Sequence, residues 1–138
     1  MNAVDTNVLF YAHDPRDLGK QATAQKLIQS LDDGVLLWQV ACEFLAASRK
    51  LEPLGFDRAQ AWQVIRDLRQ VWATMLPTWA VLDRADWLLQ QHHLSFWDAM
   101  IVAACAVGDV ARLYTEDFGG EPHIAGVEIV NPFATEQA

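Results

Sequence analysis

Along the chain, short apolar runs alternate with longer stretches in which apolar residues recur every three or four positions. That is the pattern of buried strands joined by amphipathic helices. Ala3 to Asp5 reads as an opening strand that runs into Thr6-Asn7, a turn or cap pair, and then into the apolar Val8-Leu9-Phe10-Tyr11. Lys20 to Leu31 carries Ala24, Leu27, Ile28 and Leu31 on one helix face and ends in Asp32-Asp33-Gly34. Val35 to Trp38 is an apolar strand, and Gln39 to Lys50 is a helix whose stripe is Val40, Phe44, Ala47 and Leu51. Asp57 to Gln60 has the form of a capping box and opens a helix through Trp72, with Ala61, Ile65, Leu68 and Trp72 facing in. Thr78 to Gln91 predicts another helix. Ser95 to Asp98 is a second capping-box pattern, and its helix reaches Val107 and stops at Gly108. Ala111 to Thr115 and Val127 to Val130 read as the last strands.

Short apolar strands separated by helices imply an α/β fold, a three-layer α/β/α sandwich around a central, mainly parallel sheet. In such sheets the ligand crevice lies beyond the carboxyl ends of the strands. No repeat, linker or low-complexity tract interrupts the 138 residues, so a single domain spanning 1–138 is expected. With 52% apolar and 20% charged residues the chain can bury a core, which excludes wholesale disorder. The longest unbroken apolar run, Ala99 to Val107, is far too short to span a bilayer as a helix, so no membrane role is expected. No cationic leader opens the chain, which makes the cytoplasm the expected address. Cys42 and Cys105 sit in apolar stretches without ligand spacing and read as buried thiols.

The net charge of −8 argues against a broad electrostatic grip on nucleic acid. The imbalance is concentrated: residues 85–138 hold eight acids and one basic residue, Arg112. Five acids, at four places in the chain, stand out because cations near them in sequence are scarce, Arg112 being the only one near the last two. Asp5 ends the first strand, and the next cation along the chain is Arg16. Glu43 borders the buried stripe of its helix, with alanines at i+3 and i+4 and Gln39 and Val40 before it, so no intrahelical ion pair is available. Asp98 is the only charge on an apolar helix read as buried all round, where it could serve the cap and the helix dipole. Glu116 and Asp117 follow a strand at its carboxyl end. Ionised carboxylates gathered in one crevice repel one another and need a counter-charge. Oxygen ligands without His or Cys favour Mg²⁺ or Mn²⁺, and such a site suits phosphodiester hydrolysis.

Asp5-Thr6-Asn7-Val8-Leu9, followed by Tyr11-Ala12-His13-Asp14, resembles the opening of PIN-domain proteins, specifically the VapC group of toxin ribonucleases. Leu94 to Ala104 and Leu113 to Phe118 resemble that group's third and fourth acidic motifs, and Val130-Asn131-Pro132-Phe133 fits its close. The resemblance implies a PIN-like fold, Mg²⁺- or Mn²⁺-dependent endonucleolytic cleavage of RNA, a homodimer, and inhibition by a cognate antitoxin in a type II toxin–antitoxin pair. Carried over by position, Asp5, Glu43 and Asp98 are the central acids and Asp117 the fourth, with Glu116 as its stand-in. Thr6, Asn7 and Thr115 match the small polar residues that orient water or the acids. Asp5 and Asp98 would ligate the principal metal, Glu43 directly or through water, and Asp117 would support a second ion or position the attacking water. Trp38 departs from the pattern, since relatives commonly carry a small hydroxyl residue there.

An acidic crevice that accepts metal could equally accept an arginine, so an antitoxin with a basic tail that competes with metal is expected. The alternatives are an RNA-processing nuclease without an antitoxin and a catalytically silent partner-binding module. An aspartyl-phosphate phosphatase would need a second Asp at position 7, which is Asn, and a receiver domain a late lysine, of which none follows Lys50. His13, His92, His93 and His123 lack zinc spacing. The six tryptophans read mainly as core and dimer-contact residues, and Arg58, Arg66 and Arg69 as a solvated helix face. Arg16, Lys20, Arg49 and Lys50 are the candidates for phosphate contacts, being close in sequence to the Asp5 and Glu43 motifs.

Overall fold

The computed structural model describes residues 1–134; positions 135–138, the end of the expected domain range, lie outside the described residues. Its strands are β1 (Asn2–Val4), β2 (Gly34–Leu37), β3 (Ala73–Met75), β4 (Arg112–Tyr114), β5 (His123–Ile124) and β6 (Val127–Val130). They form one sheet in the order β3-β2-β1-β4-β6-β5, parallel throughout except where β5 runs against β6. The helices are α1 (Thr6–Tyr11), α2 (Leu18–Ser30), α3 (Trp38–Ala47), α4 (Arg58–Val71), α5 (Trp79–Gln91) and α6 (Phe96–Val107), with a 3-10 segment, Ser48–Leu54, after α3. Helix α6 touches β2, β4 and β6 and carries α5, while α4 rests on β2 and β3 and joins α1 and α2 through α3. This is the expected α/β/α sandwich. Strand β2 is buried at every position, as its unbroken apolar run requires.

Several elements differ from the periodicity reading. The run after Asn7 is a helix, α1, whose six residues are too few for a 3.6-residue repeat to show. Strands β3 and β5 are three and two residues long, and β3 is an exposed edge, so neither carries an apolar run. Gly34 opens β2: a Cβ there would lie 2.2 Å from the buried indole of Trp72, so the position admits only a hydrogen. The helix α6 is not buried all round, because Phe96 and Trp97 are exposed and burial begins at Ala99. Cys42 is exposed as well, since it follows Val40 by two residues and so points away from the Val40–Phe44 stripe. Of the six tryptophans only Trp72 is buried; Trp62 instead lies under the Arg58 guanidinium on the outer face of α4, at 5.2 Å.

The register of the central strands sets the site. Val4 pairs with Tyr114, so the residues that follow, Asp5 and Thr115, leave neighbouring carboxyl ends side by side. On this sheet β1 is the point from which the chain steps outward in one direction to β2 and in the other to β4, and crevices form at such reversals.

Candidate functional site

A cleft of about 410 Å³ opens there, lined by Asp5, Glu43, Asp98 and Asp117 among others. Four acids that are up to 112 residues apart in the sequence therefore share one space. Each arrives by a different element. Asp5 caps α1 and is 4% exposed. Its Oδ1 accepts from the Thr6 N–H at 2.7 Å and its Oδ2 from the Thr115 hydroxyl at 2.8 Å. Glu43, half-buried on α3, accepts from the Thr6 hydroxyl at 3.1 Å and from the Gln39 amide at 3.4 Å. Asp117 accepts from the Asn7 amide at 3.3 Å, while its own N–H donates to the Thr115 hydroxyl at 3.0 Å. The fully buried Thr115 thus ties Asp5 to the Asp117 loop, and the Asn7 side chain also donates to the Thr115 hydroxyl and accepts from the Glu116 N–H.

Asp98 is held differently. The Ser95 hydroxyl accepts from the Asp98 N–H at 3.2 Å, which is one half of a capping box. The returning bond is absent, in contrast to Asp57 and Gln60 on α4, where both halves form. The Asp98 carboxylate is therefore not consumed by its cap and faces the cleft.

Glu116 takes another course. It accepts from the Tyr11 hydroxyl at 2.7 Å and pairs with Lys20 at 3.0 Å, outside the cleft lining. Among the cations, Arg16 and Lys50 line the cleft, whereas Lys20 is held by Glu116 and Arg49 faces a separate cavity beside Arg58. Arg16 is gripped by the buried Asp14 through two guanidinium bonds of 2.8 and 3.0 Å. Asp14 and Gln39 went unread in the sequence as contributors to the site. Gln39 was visible as the i−4 neighbour of Glu43, and its amide also donates to the Trp97 carbonyl at 3.0 Å, linking α3 to the start of α6.

Among the described residues none of the four acids forms an ion pair. The electrostatic consequence is direct. Burial pushes the Asp5 carboxyl up to about 6; the bonds from Thr115 and Thr6 pull it down, and the charges of Asp117 and Glu43 push it up again. Asp117 is raised too, by burial first and then by Asp98 and Glu116. Hydrogen bonding is complete at Asp5, and charge compensation is not.

Among the described residues, no three His, Cys, Asp or Glu side chains are gathered closely enough to hold a metal ion as they stand. The donor set is nonetheless of one chemical kind: carboxylate oxygens, with no histidine or cysteine in the lining. Such a set, carrying unbalanced negative charge, fits a hard divalent cation in chemistry, across a cleft more open than a finished coordination shell.

The PIN domain family matches residues 3–119, and the chain belongs to that family. No curated protein sequence matches it. Among solved structures it is similar to a toxin–antitoxin complex from Klebsiella pneumoniae, with a TM-score of 0.70 at 20% identity over 98% of this chain and 100% of that one. It is similar also to VapC20 of Mycobacterium tuberculosis, described as a sarcin–ricin loop cleaving toxin, with a TM-score of 0.67 at 21% identity over 86% of this chain and 92% of that one. A third likeness is to FitAcB from Neisseria gonorrhoeae, with a TM-score of 0.64 at 16% identity over 98% and 100% of the two chains. At these identities the likeness is one of fold, structurally that of VapC-type proteins.

Proposed function

We propose that the chain is a divalent-metal-dependent endoribonuclease and the toxin of a type II toxin–antitoxin pair. The observation that carries this reading is the convergence of Asp5, Glu43, Asp98 and Asp117 on one cleft without a paired cation. Asp5 and Asp98 would hold the principal Mg²⁺ or Mn²⁺, with Glu43 contributing directly or through water. When bound, the ion supplies an activated water and stabilisation of the leaving oxygen. Thr115 and the Thr6 N–H fix both oxygens of Asp5, so that carboxylate is oriented before any ligand arrives. Thr6 and Gln39 both donate to one oxygen of Glu43, its Oε1, which leaves Oε2 free for a ligand. Asp117, held more loosely by Asn7, is the residue to orient the attacking water and accept its proton. Lys50 and Arg16, the latter already held by Asp14, line the cleft and would contact substrate phosphates.

The openness of the cleft supports one further part of the reading. A space wide enough to lack a ready-made ligand triad can admit a guanidinium, so an antitoxin's basic tail would compete with metal for the same acids. A homodimer rests on the resemblance and is supported by exposed apolar side chains. Trp38 and Leu76 line a crevice with Pro77, Val81 and Met100, an apolar surface of the kind that self-association covers. The test is cleavage of total RNA with Mn²⁺. Wild type should cut, and EDTA, Asp5→Asn or Asp98→Asn should each abolish cutting with the circular dichroism spectrum unchanged. Undiminished cleavage by either variant would refute the assignment.

A further inference from the structure

Asp98 stands in the wall between two cavities. On its far side from the acidic cleft lies a larger one, of about 560 Å³, bounded by His92, His93, Leu94, Phe118, Glu121 and Ile124. The two spaces are joined by consecutive residues, since Asp117 lines the first and Phe118 the second. The second cavity has an apolar floor, with Ile124 buried and Phe118 and Leu94 packed against the core. Its rim is polar. The side chains of His92, His93 and Glu121 make no hydrogen bond or ion pair to another described residue; His92 contributes its backbone N–H to closing α5. Phe118 is held at φ 73, a left-handed conformation that a bulky residue adopts only when its surroundings impose it. The turn that does so is closed by the Glu121 N–H donating to the Phe118 carbonyl at 3.1 Å.

The lining narrows the class of ligand. Asp98 and Glu121 disfavour an anion, so a phosphate is excluded as the occupant. Among the described residues no acid–histidine group is compact enough for a metal ion. The apolar floor under unpaired polar side chains instead matches a neutral, planar ring with polar edges, which can lie on Phe118 and the imidazoles and meet donors and acceptors at the rim. We propose that this cavity takes the nucleobase next to the scissile phosphate of a single-stranded RNA, which makes His92, His93 and Phe118 determinants of the sequence cut. The proposal rests on the ribonuclease reading for the identity of the substrate, and on the shared Asp98 wall and the Asp117-Phe118 step for its position.

The test has two arms. In the first, the wild-type chain in EDTA is titrated with each of the four uncharged ribonucleosides while the histidine ring signals are followed by NMR, with His92→Gln and His93→Gln giving the assignments. The His92 and His93 signals should move saturably, with the preferred base bound about tenfold more tightly than the poorest, and Phe118→Ala should remove about that factor. His13, stacked on Phe56 at 4.6 Å in another part of the molecule, should stay in place in every titration and reports that the variant is folded. Should Phe118→Ala fail to fold, the exposed His93→Ala serves instead. Unmoved His92 and His93 signals, or equal affinity for all four bases, would overturn the proposal. In the second arm, a random-sequence RNA pool is cut with Mn²⁺ and the ends are sequenced. His93→Ala should flatten the base preference beside the cut, and an unaltered preference would overturn the proposal. A wild type that cuts nothing would instead sink the ribonuclease reading, and the NMR titration would still decide the pocket.

Discussion

Asp5 shows what a single residue contributes. Its folded pKa of about 6 lies above the ordinary 3.8, so between those values the folded chain holds a proton that the unfolded chain has released. Raising the pH through that window therefore subtracts stability from the metal-free protein, by up to about 3 kcal/mol for this group. Burial pushes His13 the other way, below its ordinary 6.5, which costs stability as the pH falls. Subtracting the Asp5→Asn profile cancels the His13 contribution. Chemical denaturation in EDTA should show wild type losing stability relative to Asp5→Asn from about pH 4 to about pH 7, and a constant difference would mean that Asp5 ionises normally. The four acids were legible in the sequence because none has a cation within helical or turn reach. The fate of Glu116 was not, since its partner Lys20 lies 96 residues away and only the fold brings them together. Nor was the exposure of five tryptophans, because composition carries no direction.

At the scale of elements, the caps and stripes were readable and the shortest pieces were not. Ala61, Ile65 and Leu68 are buried along α4, and Trp72 just past its end, as their spacing predicts, and the Asp57–Gln60 box forms in both directions. Asp57→Ala should cost about 1 kcal/mol in urea denaturation, with no loss of cleavage, since α4 does not reach the cleft. Gly34 was misread because glycine after Asp32-Asp33 suits a helix end, whereas here it clears space for the Trp72 ring at the start of β2. Gly34→Ala should therefore cost about 3 kcal/mol or prevent folding, the upper end of what overpacking a core exacts. Wild-type stability in that variant would show that the indole can move aside. A second element-level lesson lies in α6. Its first turn reads as buried from its composition, yet the opening Phe96-Trp97 is exposed, and this leaves the Asp98 carboxylate at the border of two cavities.

At the scale of the molecule, the sheet order decides everything that follows. Strand β1 lies between β2 and β4, which brings the first acid beside the fourth, while α3 packs on β2 and α6 on β2, β4 and β6. Alternating strands and helices establish the class of fold, but strand order is a long-range property that a single chain does not spell out. The apolar crevice at Trp38 and Leu76 belongs to this scale too. Sedimentation should find a dimer for wild type and a monomer for Leu76→Glu; a wild-type monomer at high concentration would remove the homodimer from the account.

The central claim is that the unpaired acids of the cleft converge to hold a divalent ion. Mn²⁺ binding, followed by the loss of the free-ion electron paramagnetic resonance signal on titration of the metal-free protein, measures it without reference to any substrate. The account predicts saturable uptake by wild type that Asp5→Asn and Asp98→Asn each abolish. Equal uptake by those variants, or none by wild type, would contradict it.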